Sequence, residues 1–282
     1  MKNIFVLFAF FNLLIASSFA QENSLLWKIS GNNLKNDAYL LGTIHIMCPE
    51  DFVMLEKVKK AINDVDQVVY EVDLFNPENT KKMQDMMMVP VPNFFESLSD
   101  DKVKFIDSVL TANQMSIRMF DMLNPAMVMS LLTLKSFNCP NPMEVKSVEA
   151  EVNTLAEGKQ KANLETIDFQ LNMLNQIATP EYFYEYLKLY KEAEVLTNKM
   201  VQAYKSENLK SLNSIISDPK WMSPKVYDLM LTQRNKTWVD SIPTIISKSK
   251  TLIAVGAAHL VGEQGLIELL RDKGYTVAPI MN

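Results

Sequence analysis

Hydrophobic positions along the chain change period twice, from short apolar runs near the ends to helical spacing through a long middle and back again. Leu26–Ile29 and Ala38–Leu41 are strand-like runs separated by the turn formers Gly31, Asn32 and Asn33, with Asn36 and Asp37 as a second turn signal, so the pattern predicts an N-terminal hairpin. Pro49 and Asp51 open a predicted helix that runs to about Asn63, with Phe52, Leu55, Val58 and Ile62 at helical spacing. Gln67–Leu74 carries Val68, Val69, Tyr70, Val72 and Leu74, too apolar for a surface strand and suited to a covered parallel sheet. Glu71 and Asp73 fall in phase at its far end.

From Pro77 to about Ser247 the spacing is helical, broken by proline and asparagine and rich in methionine. The methionines read as adaptable core packing. Pro180–Lys205 reads as one long amphipathic helix. Leu252–Val255 is then a buried strand, Glu263–Lys273 a helix stopped by Gly274, and Tyr275–Ile280 a last strand, a β-loop-α-β unit of the kind that builds parallel sheets. The fold class is α/β, with a mixed, largely parallel sheet from the N- and C-terminal parts and a large all-helical insertion over about 77–247.

Three further features narrow the class. Lys2 precedes an apolar run from Ile4 to Ala16, and Ser18 and Ala20 form a small-x-small cleavage signal, which predicts a secretory leader over 1–20 and a mature single domain over 21–282. The run is shorter than the roughly 20 residues of a spanning helix, and no cysteine lies near the cleavage site, so no stable membrane anchor is expected after cleavage. The expected destination is the periplasm, with secretion to the medium as the alternative. A net charge of −5 with no basic run speaks against a nucleic-acid partner. Cys48 and Cys139, exported together, leave open a disulfide, free buried thiols, or a soft metal ligand at Cys48.

The chain uses histidine only twice, at His45 and His259. Each follows an apolar strand in the same frame, Gly42-Thr43-Ile44-His45 and Gly256-Ala257-Ala258-His259. Glycine lets the backbone turn sharply at the strand end, and the histidine emerges at the carboxyl edge, where open α/β sheets bind ligands.

These two Gly-x-x-His segments, with Leu26-Trp27-Lys28, Val69–Asp73, Leu164-Glu165-Thr166 and Gln170, Arg234-Asn235 and the closing AVGAAHLVGEQGL, resemble the TraB/GumN family. The ends of the chain match better than its middle. The resemblance implies a relation to the TIKI metalloproteases, whose site is described by paired Gly-x-x-His motifs and acidic residues, and a distant one to erythromycin-esterase-like hydrolases. Other relatives act in pheromone shutdown, so membership leaves the function open.

Residue chemistry points the same way. Two neutral imidazoles and a carboxylate can hold a divalent ion, here manganese, cobalt or zinc, and leave positions for a water that the ion acidifies. The expected site is His45, Glu71 and His259, as metal ligands and catalytic groups, with Arg234 as a further catalytic candidate that could clamp an anion. Without a metal, His45 would activate water and Glu71 would orient its ring. Asp73, Glu165, Glu149 and Glu151 are secondary candidates, each with a cap or a solvated charge as its plain alternative. The absence of G-x-S-x-G argues against a serine-elbow hydrolase, and that of H-E-x-x-H excludes a zincin. Three classes remain: a metal-dependent, peptidase-like hydrolase acting on a peptide or small molecule; a metal-independent esterase or amidase; and a non-catalytic protein that binds a peptide or signal. Oligomeric state is not legible.

Overall fold

The computed structural model describes residues 23–281, so the expected leader lies outside the described residues. In chain order the elements are β1 (Leu26–Ser30), β2 (Ala38–Thr43), α1 (Glu56–Asp64), β3 (Gln67–Tyr70), α2 (Pro77–Met87), α3 (Asp100–Ala112), α4 (Pro125–Ser136), α5 (Val148–Leu155), β4 (Gln160–Asn163), α6 (Ile167–Ile177), α7 (Pro180–Lys205), α8 (Leu209–Ile216), α9 (Pro224–Tyr227), α10 (Gln233–Ile246), β5 (Thr251–Gly256), α11 (Leu266–Asp272) and β6 (Thr276–Pro279). One six-stranded sheet has the order β4-β3-β5-β2-β1-β6. β3 pairs parallel with β4 and β5, and β5 with β2, while β1 runs antiparallel to both β2 and β6. Five strands therefore point one way and their carboxyl ends share an edge. β5 is buried from Thr251 to Val255 with no alternation, as a strand covered on both faces must be.

The expected hairpin forms, with Leu26 opposite Leu41 and three consecutive left-handed residues, Gly31, Asn32 and Asn33, in its turn. Helix starts in the middle are cut by side-chain caps followed by proline: Asn76-Pro77, Asn124-Pro125 and Thr179-Pro180. Some expectations need correction, beginning with the strand expected over Gln67–Leu74, which ends at Tyr70. The segment over 77–247 is not helical throughout, because β4 returns from it to pair with β3; its sequence, Gln160-Lys161-Ala162-Asn163, is mostly exposed and lacks the apolar run that marks a central strand. The helix expected from Pro49 begins only at Glu56.

Cys48 and Cys139 are disulfide-bonded across 91 residues of chain. The bridge excludes a metal-ligand role for Cys48. Among the described residues no helix is long and apolar enough to cross a membrane.

Candidate functional site

Four neighbouring strands deliver the site from their carboxyl ends. His45 lies two residues past β2, Glu71 directly after β3, Glu165 two residues past β4, and His259 at the end of the 3-10 turn that follows β5. The fifth member, Arg234, comes from the first turn of α10. A single π turn over Asp228–Thr232 joins α9 to α10 and hands Arg234 into the interior; such turns concentrate at functional sites.

Arg234 is the hub, with a side chain only 4% exposed. Nη2 contacts Glu71 Oε2 and lies 2.6 Å from Glu165 Oε1, and Nε reaches both Glu165 oxygens at 3.1 and 3.2 Å. Nη1 donates to Met230 O at 3.0 Å and meets His259 Nε2 at 3.1 Å. The guanidinium also lies over the Trp238 ring, 4.7 Å from its centroid. Glu165 Oε2 accepts from Trp238 Nε1 at 3.1 Å, Gln170 Nε2 donates to Glu165 Oε1 at 2.9 Å, and Glu71 Oε1 accepts the Gly256 N–H at 2.7 Å. Burial alone would raise the Glu71 carboxyl, but electrostatic interactions with His259, Arg234 and His45, in that order, and the Gly256 N–H hold it down to about 2.

The tautomer of His259 follows from its partners. The Asn235 amide donates to His259 O and to Gln264 O, at 3.3 and 2.7 Å, so its oxygen faces Nδ1 at 2.6 Å as an acceptor. Nδ1 therefore carries the proton and Nε2 accepts from Arg234. Burial pushes the ring down to about 3, against the pull of Glu71, so His259 is neutral.

His45 is a different kind of histidine. Its side chain is 71% exposed, and Nδ1 lies 2.7 Å from Glu149 Oε1. Glu149 is oriented in turn by Thr43 Oγ1 at 2.5 Å and Ser147 Oγ at 2.8 Å. The Glu149 charge raises His45 to about 9, and Glu149 itself is lowered: burial opposes, but the His45 charge and the two histidine and threonine hydrogen bonds prevail. The backbone fixes the pair. Met47 and Lys146 exchange hydrogen bonds of 2.9 and 2.8 Å, Val148 N donates to Ile44 O at 3.2 Å, and the Cys48–Cys139 bridge closes the same loop.

Equal spacing in the two Gly-x-x-His motifs conceals a one-residue offset, because Thr43, not Gly42, pairs with Gly256. The two glycines therefore face opposite sides of the sheet. A Cβ on Gly42 would sit 3.1 Å from the Cα and Cβ of Ala257, so glycine there admits the turn that carries His259; a Cβ on Gly256 would sit 3.4 Å from Glu71 Oε1.

Of the expected residues, Glu71, Arg234 and His259 are in direct contact, and His45 stands beside them, close enough for its charge to act on Glu71. The partner that orients His45 is Glu149 rather than Glu71, which Arg234 and Gly256 hold. Glu165 joins the network, whereas Asp73 caps the next turn by accepting the Phe75 N–H at 2.9 Å. Trp238 was not legible as a site residue; its only signal is its place four residues after Arg234 on one helix face. The donor atoms do not fit a divalent ion as they stand: His259 Nε2 and Glu71 Oε2 both face the Arg234 cation, His45 Nδ1 faces Glu149, and no group of three ligating side chains converges among the described residues.

Residues 25–279, which include every member of this site, match the TraB/PrgY/gumN family. The chain belongs to that family. It is similar to a protein named Metalloprotease TIKI homolog of Amphimedon queenslandica, 22% identical over 322 aligned residues that cover 93% of this chain and 62% of the relative. It is also similar to proteins named Uncharacterized protein YbaP of Escherichia coli (strain K12) and Shigella flexneri, each 37% identical over 59 residues, 21% of this chain and 22% of theirs. The chain thus spans less than two thirds of the length of these relatives. No solved structure matches it significantly.

Proposed function

We propose that this TraB/PrgY/gumN protein is a hydrolase of carbonyl substrates, peptide or small molecule, in which His45 and Glu149 handle the proton and the Glu71–Arg234–Glu165–His259 network holds the frame. The observation that carries this reading is the exposed His45 ring, bound through Nδ1 to a carboxylate that two hydroxyls orient, with Nε2 bonded to no described residue. A ring held in this way is a base fixed by a third group, the arrangement that activates a nucleophile. Neutral His45 takes a proton through Nε2 from a water whose oxygen adds to the carbonyl carbon. The imidazolium, stabilised by Glu149, returns that proton to the leaving oxygen or nitrogen as its bond to carbon breaks. His259 and Arg234 are buried and bonded to each other, so they position Glu71 and the strand ends without meeting substrate.

The relative named a metalloprotease supports a second reading, in which His45, Glu71 and His259 hold manganese, cobalt or zinc. That reading requires Arg234 to leave Glu71 and His259. Export to the periplasm is part of the proposal; the leader-like start of the sequence and the Cys48–Cys139 bridge, a bond that persists in oxidising compartments, support it.

The test is hydrolysis of peptide and ester libraries by tag-free protein, alongside His45→Ala, Glu149→Gln and a His45→Ala/His259→Ala double variant, with elemental analysis after refilling with each metal. We expect a loss of about 100-fold or more in kcat/KM, compared above the His45 pKa, for both single variants with the fold retained. Full activity in His45→Ala would overturn the proposal. Near-stoichiometric metal in the parent, lost in the double variant, would establish the second reading over the first.

A further inference from the structure

A cavity of about 110 Å³ borders the backbone that presents His45 and Glu149. Its wall is apolar: Leu25 from the start of the domain, Leu41 from β2, Val58 from α1, Val148 from α5 and Tyr204 from α7. Met47 and Met54 add flexible side chains that can adapt to an occupant. At its rim stand Val53, 61% exposed, and the ion pair of Lys205 with Asp51 at 2.6 Å.

A second observation concerns the loop that forms this rim. Phe52, Leu55, Val58 and Ile62 follow helical spacing from Pro49 onward, yet residues 51–55 are not helical and the helix begins at Glu56. A segment whose local preference is overridden, and which leaves a large apolar side chain in solvent beside an apolar hollow, is where structure has been given up for a function. Close-packed interiors hold few voids of this size.

We propose that this cavity binds a small uncharged apolar ligand, a branched aliphatic or phenyl group that enters past Val53. An apolar cavity of about 150 Å³ takes benzene, so one of about 110 Å³ takes a compact group of at most about that size. The site is independent of the hydrolase reading, and its test reads binding rather than turnover.

Isobutanol and benzene are the probes, titrated into the full mature protein while melting temperature and the methionine methyl resonances are followed. The expected result is a saturable rise of about 2–4 °C, with saturable shifts at Met47 and Met54 and none at methionines remote from the cavity. Val58→Phe, which fills the space, is expected to abolish both effects, and Val53→Trp, a change at an exposed position, to weaken them. Absence of saturable shifts at Met47 and Met54, or equal binding by Val58→Phe, would overturn the proposal. Where Val58→Phe fails to fold, the methyl titration of the parent and of Val53→Trp decides.

Discussion

Replacing Arg234 by methionine keeps an unbranched apolar stem, removes the guanidinium with its charge, and leaves Glu71 and Glu165, 11% and 7% exposed, without their shared counter-charge. The size of the effect follows from Glu71. Its carboxyl is held at about 2 against an ordinary 4.5, and at about 1.4 kcal/mol per pH unit the difference is worth roughly 3 kcal/mol at neutral pH. Arg234 shares that difference with His259 and His45, and removing one partner of a buried ion pair costs about 3–5 kcal/mol, so a loss of about 3 kcal/mol is expected. The sign of the pH dependence is a sharper test. In the parent protein the depressed Glu71 contributes stability above the ordinary carboxylate range, and this is lost as pH falls from about 4.5 toward 2. In Arg234→Met burial prevails and lifts Glu71 above its unfolded value, so the variant gains stability relative to the parent as pH falls from 7 to 5. Urea unfolding at a series of pH values measures both. A loss below about 1 kcal/mol at pH 7, or pH slopes of the same sign in the two proteins, would refute the assignment of Arg234 as the counter-charge of a buried carboxylate pair.

Reduction of the Cys48–Cys139 bridge, which spans 91 residues, or its replacement by serines, is expected to cost about 2–5 kcal/mol; melting with and without reductant checks this, and an unchanged transition would contradict it. Tyr70 Oη is a buried side-chain atom with no hydrogen-bond partner, so Tyr70→Phe should be neutral or stabilise by up to about 1–3 kcal/mol, and a clear loss in urea unfolding would reveal a partner. Because the Glu149 charge raises His45 to about 9, hydrolysis that uses neutral His45 should rise with pH through a midpoint near that value. The same pairing stabilises the fold below the ordinary 6.5 and is lost as pH rises through about 9. Glu149→Gln should move the midpoint of the rate profile downward, and a profile identical to the parent's would exclude Glu149 as the partner of His45.

The two histidines show how far spacing carries. Both were legible as residues at a carboxyl sheet edge because an apolar run ending in Gly-x-x-His admits few other placements. Their difference in character was not. It depends on the pairing of Thr43 with Gly256, a contact between strands more than 200 residues apart in sequence, and that register buries one ring and exposes the other. Glu149 stood only among the secondary candidates for a related reason. A carboxylate in the first turn of a helix usually stabilises the helix from solvent, and only the exchange of hydrogen bonds between Met47 and Lys146 turns it toward His45. β4 escaped notice because an edge strand, half in water, does not need apolar side chains.

Local and periodic information in the chain determined the hairpin, the covered strands β3 and β5, the long helix α7, the helix starts at Asn-Pro and Thr-Pro, and the identity of His45, Glu71, Arg234 and His259 as candidates. These follow from side-chain chemistry acting over a few residues, which any segment carries with it. Tertiary structure alone decided the disulfide, the one-residue offset of the motifs, the assignment of Glu149 to His45, and the placing of Arg234 where an ion had been expected. Each of these depends on which charges and hydrogen-bonding groups meet after distant strands have paired, and the strength of such interactions is set by burial, a quantity that no short stretch of sequence contains.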